Sequence, residues 1–192
     1  MAKKILIISG SPKKDGNTQA LIDEFVKGAH SGGAQTEVVH AAFLKYKANG
    51  CTSCRACQES DKYECVIKDE ASPVLKKMAG VDIIVMATPL YFFSASAQLK
   101  KIFDRMFSLY KWDNEAGTMK TPLKGKELVL IGSAYEDVGL DALELPFKIT
   151  AEYTGMKFES LLVPNAGVSG DIRKKTDALK DARSLGERIS RK

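Results

Sequence analysis

The chain has 192 residues, of which 44% are hydrophobic and 28% are charged, and its net charge at pH 7 is +5. This length suits a single domain, residues 1–192, with a full hydrophobic core. No run approaches the ~18 apolar residues of a membrane-spanning helix. The positive charge is spread along the chain, without the basic block or aromatic-rich motif of a nucleic-acid binder. We therefore expect a soluble, cytoplasmic protein whose partners include neither a membrane nor a nucleic acid.

Short apolar runs alternate with segments of helical periodicity along the chain. The apolar runs predict five strands, at residues 4–9, 36–39, 82–87, 127–131 and 157–163. The periodic segments predict helices at residues 18–29, 72–78, 95–109 and 141–153, followed by a last helix that Asp171 caps. Two segments interrupt this alternation, a cysteine-rich insertion at about 46–68 and a polar excursion at about 110–125.

This alternation of strands and helices predicts an α/β fold. The expected architecture is a doubly wound, five-stranded parallel sheet with helices on both faces, and right-handed crossovers favour the strand order 2-1-3-4-5. Ligands of such sheets bind beyond the carboxyl ends of the strands, where the strand order reverses between strands one and three. We therefore expect the functional site in the loops at this edge.

The loop at residues 10–18, with the sequence Gly-Ser-Pro-Lys-Lys-Asp-Gly-Asn-Thr, connects the first strand to the first helix. Backbone N–H groups and a helix N-terminus attract anions, and Ser11, Asn17 and Thr18 add short side-chain donors. The spacing fits neither a P-loop, which needs a lysine in place of Asn17, nor a dinucleotide-binding loop, which needs a glycine in place of Pro12. The loop favours a monophosphate over its alternative, a tight strand-to-helix turn with a cap.

A second loop, residues 88–96, follows the third predicted strand and is rich in aromatic residues. An apolar loop at a ligand site suits a flat ring, whose polar edge the backbone amides would bind. The alternative is that Tyr91, Phe92 and Phe93 fill the core, although loops after strands usually reach solvent. A third loop, residues 132–136, lies on the same edge, and ring contact and a plain turn are equal alternatives for it.

The four cysteines of the chain lie close together in sequence, at Cys51, Cys54, Cys57 and Cys65. In a reducing compartment, clustered cysteines are more often metal ligands or redox groups than structural disulfides. A [4Fe–4S] cluster needs four thiolates, and the C-x2-C-x2-C run supplies three of them from one segment. A structural zinc site, a redox dithiol and unliganded thiols stay open as alternatives.

Together these motifs resemble the flavodoxin-like NAD(P)H-dependent FMN reductases, and within them the iron–sulfur flavoprotein branch. The resemblance rests on the 10–18 loop, the cysteine run and the segment 88–105, and it covers nearly the whole chain. It implies a flavodoxin-like sheet that binds FMN, in homodimers or tetramers. The cofactor-binding residues that it implies are Ser11, Lys13, Gly16, Asn17, Thr18, Pro89, Leu90, Tyr91, Phe92, Phe93, Ser94, Ser133, Ala134 and Tyr135.

Side chains for general acid–base catalysis do not stand out, and the chain has only two histidines. This suits flavin chemistry, because the cofactor carries the reaction while the protein binds, orients and tunes it. We therefore expect an FMN-dependent oxidoreductase that takes electrons from NADH or NADPH. It would pass them to a small molecule such as a quinone or, through a cluster, to a ferredoxin-like partner. The alternatives are a non-enzymatic electron carrier or redox sensor, and a phosphate-ligand-binding domain with zinc.

Overall fold

The computed structural model describes residues 2–113 and 115–191. Met1, Asn114 and Lys192, which the predicted ranges 1–192 and 110–125 include, lie outside the described residues. The strands are β1 (Lys4–Ser9), β2 (Gln35–His40), β3 (Ile83–Tyr91), β4 (Ser94–Ala95), β5 (Lys111–Asp113), β6 (Thr118–Lys120), β7 (Glu127–Ser133) and β8 (Lys157–Val163). The α-helices are α1 (Asn17–Ser31), α2 (Ala71–Gly80), α3 (Ala97–Phe103), α4 (Leu140–Thr154) and α5 (Thr176–Arg191).

The central sheet holds five parallel strands in the order β2-β1-β3-β7-β8. Ile5 of β1 pairs with Thr36 of β2 on one side and with Ile83 of β3 on the other, so the strand order reverses between β1 and β3. The predicted α/β fold and the predicted order of its five strands are therefore confirmed. The short strand β4 folds back on the end of β3 and pairs with it in the antiparallel direction.

Both faces of the sheet are covered, because alternate side chains of a strand point to opposite sides. Leu6 and Ile8 pack in one cluster with α2, α3 and α4, whereas Ile5 and Ile7 pack in a second cluster with α1 and α5. All four side chains are buried. The apolar run at residues 4–9 is therefore a strand buried on both faces, as its sequence predicts.

Glycines allow α1 and α5 to pack closely over one face of the sheet. A Cβ atom at Gly28 of α1 would lie 1.9 Å from the carbonyl oxygen of Arg183. A Cβ atom at Gly186 of α5 would lie 2.1 Å from the carbonyl oxygen of Phe25. The two helix backbones are therefore in contact, which fixes the position of α1, the helix that follows the 10–16 loop.

Two predicted features differ from the structure, and a third predicted segment contains a small hairpin. The helix predicted at 95–109 ends as an α-helix at Phe103 and continues as a 3-10 turn, Asp104–Leu109. The polar excursion contains the small hairpin β5–β6. Asp171 does not cap the last helix, because its carboxylate accepts a hydrogen bond from the N–H of Val168, and α5 begins only at Thr176. In the described part of the chain, no helix combines the length and the apolarity that crossing a membrane requires.

Candidate functional site

The end of β3 and the loops that follow β1, β7 and β8 meet at the carboxyl edge of the sheet and enclose a cavity of about 220 Å³. The cavity lies where the strand order reverses, which is the position that sheets of this kind use for ligands. The residues that line it are Ser11, Lys13, Gly16, Asn17, Thr18, Pro89, Leu90, Tyr91, Ser133, Tyr135, Ala166, Gly167 and Ser169.

Most of the predicted cofactor-binding residues therefore lie around one cavity. The exceptions are Phe92, Phe93, Ser94 and Ala134, which are outside its lining. Sequence reasoning missed Ala166, Gly167 and Ser169 as lining residues. They belong to the loop that follows β8, and their position directly after the fifth parallel strand is the signal that could have indicated them.

The N-terminus of α1 opens into one end of the cavity. The first helical hydrogen bond runs from the N–H of Ala20 to the carbonyl oxygen of Gly16, so the backbone N–H groups of residues 17–19 precede it. In the described chain no side chain caps this helix, and its first turn carries no acidic residue. Lys13 adds a positive charge to the same end. These features fit an anion such as a phosphate.

Buried hydroxyl groups shape this polar end. Ser11 Oγ accepts a hydrogen bond from the N–H of Lys13 at 3.1 Å and donates one to the carbonyl oxygen of Lys13 at 3.0 Å, which closes a tight turn. Thr18 Oγ1 lies 3.0 Å from Ser133 Oγ, so a hydrogen bond links α1 to the end of β7. The hydroxyls of the 10–18 loop and of β7 are therefore held in place before any ligand arrives.

Asn17 fixes the loop that follows β8. Its Nδ2 donates to the carbonyl oxygens of Ala166 and Val168 at 2.7 and 2.8 Å. Its Oδ1 accepts from the N–H groups of Gly170 and Ile172 at 2.9 and 3.3 Å. The two donors and two acceptor sites of the amide are all used within the protein. The Asn17 side chain therefore positions this loop, and its backbone N–H is the group that faces the anion end.

The other end of the cavity is apolar. Pro89, Leu90 and Tyr91 line it, and they form the last part of β3, which is longer than the strand predicted at 82–87. The ring of Tyr135 lies against Gly167, where a Cβ atom would be 1.9 Å from Cδ2 of that ring. Glycine at this position therefore lets the Tyr135 ring reach the cavity. A planar ring fits this wall.

Phe92 and Phe93 lie beyond this wall, in the turn between β3 and β4. Phe92 is 96% exposed and Phe93 is 54% exposed. Tyr91 is also exposed. The alternative that these three aromatic residues fill the core is therefore wrong.

The four cysteines lie around a second, much smaller cavity of about 20 Å³. Cys51 and Cys54 are exposed, Cys65 is partly buried, and Cys57 is buried, and none of them forms a disulfide. Among residues 2–113 and 115–191, no three His, Cys, Asp or Glu side chains form a group that could hold a metal ion. The predicted [4Fe–4S] cluster on these four cysteines is therefore not supported by this geometry.

The cysteine loop has an unusual backbone conformation. Ser53 and Arg55 adopt left-handed backbone conformations, with φ of 57° and 58°. The chain therefore turns sharply between Cys51 and Cys57, and Cys57 lies in a 3-10 turn. Burial raises the pKa of the Cys57 thiol.

A buried ion pair anchors the chain next to the cysteines. The Arg105 side chain is fully buried, and its Nη1 donates to both carboxylate oxygens of Asp69, at 2.9 and 2.8 Å. Asp69 also accepts hydrogen bonds from the N–H groups of Lys47 and Ala71. Burial by itself would raise the pKa of Asp69, but the hydrogen bonds from Arg105 and from the backbone outweigh it and hold that pKa below its ordinary value.

The parallel sheet, its reversed strand order and the cavity at its carboxyl edge together define a flavodoxin-like α/β protein. A comparison with family models agrees with this class, since the model described as NADPH-dependent FMN reductase matches residues 3–158. The chain therefore belongs to the NADPH-dependent FMN reductase family, which confirms the predicted family.

Curated relatives support the predicted branch of this family. An iron–sulfur flavoprotein of Methanocaldococcus jannaschii is 39% identical over 102 residues, which are 53% of this chain and 51% of that protein. The chain thus spans about half the length of the first curated relatives it matches. A Bacillus subtilis protein, whose name describes an NAD(P)H-dependent FMN-containing oxidoreductase, is 24% identical and covers 96% of this chain and 97% of its own length.

Solved structures show the same fold. An NAD(P)H:quinone oxidoreductase from Methanothermobacter marburgensis superposes with a TM-score of 0.71 at 16% identity, over 98% of each chain. A flavodoxin from the domain Archaea superposes with a TM-score of 0.59 at 13% identity, over 97% of this chain and 96% of its own. At such identities the likeness establishes the architecture and nothing further.

Proposed function

We propose that this protein is an FMN-dependent oxidoreductase that uses NADH or NADPH as electron donor. The observation that carries the proposal is the cavity at the carboxyl edge, which has an anion-binding helix N-terminus at one end and an apolar wall at the other. FMN has the matching chemistry, with a phosphate at one end and a planar ring at the other. Membership of the FMN reductase family supports the same cofactor.

The residues divide into two groups according to the part of FMN that they would bind. Lys13 and the backbone N–H groups at the start of α1 would bind the phosphate, with the hydroxyls of Ser11 and Thr18 beside them. Pro89, Leu90 and Tyr91 would contact the ring, and Tyr135 would flank it. When bound, FMN supplies the chemistry of accepting a hydride and returning two electrons. The protein's own part is to bind, orient and shield it, which agrees with the scarcity of acid–base side chains in the sequence.

Comparison of FMN with riboflavin tests the phosphate end directly, because the two differ only in the phosphate. We expect flavin-free protein to bind FMN at least about 100-fold more tightly than riboflavin, since a charged phosphate makes several charge-assisted hydrogen bonds. Replacement of Lys13 by Ala should weaken FMN binding by about tenfold and leave riboflavin binding nearly unchanged. Lys27→Ala is the matched control, because Lys27 lies on α1 outside the cavity lining and pairs with Glu24 in solvent. Equal affinities for FMN and riboflavin would contradict the proposed site.

Turnover distinguishes the proposed enzyme from a non-enzymatic carrier or sensor. Protein reconstituted with FMN should oxidise NADH or NADPH steadily when a quinone is present. Reduction by a ferredoxin alone, without steady turnover of a nicotinamide, would instead favour the carrier. Iron, acid-labile sulfide and zinc, measured on protein purified without oxygen, test the cysteine loop separately. The homodimer or tetramer and the ferredoxin-like partner stay predictions.

A further inference from the structure

A second cavity, of about 420 Å³, lies at the amino edge of the sheet, opposite the edge that holds the cavity proposed for FMN. Ile83 at the start of β3 pairs with Glu127 at the start of β7, and Glu127 pairs in turn with Lys157 at the start of β8. The first residues of three parallel strands therefore meet at this cavity. Its volume is within the range of small-molecule sites, about 300–1,000 Å³. We call it the amino-edge cavity.

Positive charge dominates the lining of the amino-edge cavity. The lysines that line it are Lys3, Lys124, Lys126 and Lys157. Asp82 and Glu127 are the acidic residues of the lining, so the net charge around the cavity is +2. In the part of the chain that the structure describes, the ion pairs of lysine involve other lysines, and none of these four pairs with a carboxylate. The charge of this cavity is therefore only partly compensated within the protein.

Two of these lysines are held in place by backbone carbonyls. Lys3 Nζ donates to the carbonyl oxygen of Ile189 at 2.8 Å, and Lys126 Nζ donates to the carbonyl oxygen of Val81. An ammonium group has three N–H donors, so one such bond leaves donors for a ligand. Ordering these side chains in advance lowers the entropy that a ligand would lose on binding.

Lys126 is also the least solvated of the four charges. Burial lowers its pKa, because the charged form loses part of its hydration, and the nearby carboxylate of Asp82 offsets this only in part. A bound anion would replace the lost hydration with charge-assisted hydrogen bonds. The cavity thus combines an excess of positive charge with fixed donors, which are the two features that an oxyanion needs.

We propose that the amino-edge cavity binds a multivalent phosphate anion, which is either a free oxyanion such as pyrophosphate or the phosphate groups of a nucleotide. Several ammonium groups around one cavity favour an anion that carries more than one charge, since each acts on it as a point charge. Lys13 and the N-terminus of α1 lie at the opposite edge of the sheet. Binding in the amino-edge cavity therefore goes beyond the proposed function and does not depend on it.

Isothermal titration calorimetry of FMN-saturated protein with pyrophosphate, and separately with ADP, tests this site in about 0.15 M NaCl, where weak surface attraction is screened. We expect one site per chain with a Kd below about 1 mM. Lys126→Gln and Lys157→Gln should each weaken binding about tenfold, because each removes a charge-assisted hydrogen bond. Lys157→Arg should retain binding. Lys148→Gln is the matched control, since Lys148 is exposed on α4 and outside the lining.

The outcomes separate this site from general charge attraction and from the cavity at the carboxyl edge. Tighter binding of ADP than of pyrophosphate would support a nucleotide as the ligand, and the reverse order would support a free oxyanion. Titrations without saturation, or equal weakening by Lys148→Gln, would overturn the proposal. Lys157 is exposed, so Lys157→Gln keeps the test valid if Lys126→Gln does not fold.

The same titration remains decisive if the protein does not bind FMN and the proposed function fails. In flavin-free protein, Lys126→Gln and Lys157→Gln should still weaken the binding of pyrophosphate about tenfold. Loss of binding in Lys13→Ala, with unchanged binding in Lys126→Gln and Lys157→Gln, would place the anion at the carboxyl edge and overturn the proposal.

Discussion

The buried ion pair between Arg105 and Asp69 allows a stability prediction with a defined magnitude. Replacement of Asp69 by Asn removes the charge that compensates Arg105, whose side chain has no exposed surface. The remaining guanidinium would be a buried charge without its partner, which typically costs about 3–5 kcal/mol in the free energy of unfolding. For a chain of this size, we expect the melting temperature to fall by about 6–20 °C.

The contacts of Asp69 place the expected loss of stability for Asp69→Asn near the upper end of the range of about 3–5 kcal/mol. The carboxylate accepts two hydrogen bonds from Arg105 and one each from the backbone N–H groups of Lys47 and Ala71. An Asn side chain has one oxygen and presents an NH2 group to these donors, so part of the network would lose its acceptors. The segments around Lys47, Asp69 and Arg105, which these hydrogen bonds connect, would therefore become less firmly attached to one another.

The pH dependence of this loss follows from the lowered pKa of Asp69. A carboxyl group whose pKa is lower in the folded state stabilises the fold above its unfolded pKa of about 4, and this contribution disappears as the pH falls through the folded value. The difference between the unmodified protein and Asp69→Asn should therefore be constant between about pH 5 and 7 and shrink in more acidic buffers. Urea unfolding followed by circular dichroism at several pH values measures it.

Two controls make this prediction specific. Glu37→Gln removes an exposed pair with Lys77 and should cost less than about 1 kcal/mol. The double variant Arg105→Met/Asp69→Asn should be more stable than Asp69→Asn alone, because no uncompensated charge remains. A loss below about 1 kcal/mol for Asp69→Asn, or a double variant less stable than this single one, would refute the reasoning.

Two further predictions concern packing and thiol reactivity. Gly28→Ala should lower the free energy of unfolding by about 1–3 kcal/mol, because the new Cβ atom would meet the carbonyl oxygen of Arg183. Gly80→Ala, whose Cβ atom would meet no atom within 4 Å, should be neutral or slightly stabilising in the same urea titration. In protein freed of metal, iodoacetamide should modify Cys57 more slowly than Cys51 and Cys54, since burial both shields this thiol and raises its pKa. Peptide mass spectrometry gives the order, and modification of Cys57 at the rate of Cys51 would contradict the burial of its thiol.

Local patterns in the sequence determined the fold class and the position of the cavity. The apolar run at residues 4–9 and the helical spacing that follows it depend only on neighbours along the chain. Alternation of such segments leaves few topologies, so the strand order could be predicted before any contact was known. The 10–18 and 88–96 loops were placed at one edge for the same reason, and residues from both loops line the cavity.

Only the tertiary structure decided how individual side chains are used. Asp69 and Arg105 lie 36 residues apart, and Asn17 bonds a loop about 150 residues away, so no short spacing indicates either contact. The backbone between Cys51 and Cys57 turns at two positive φ angles, at Ser53 and Arg55, which a cysteine spacing does not encode. The positive φ of Phe92 is likewise a property of the backbone, because sequence shows which residue occupies a turn but not the φ angle that the surrounding contacts impose on it.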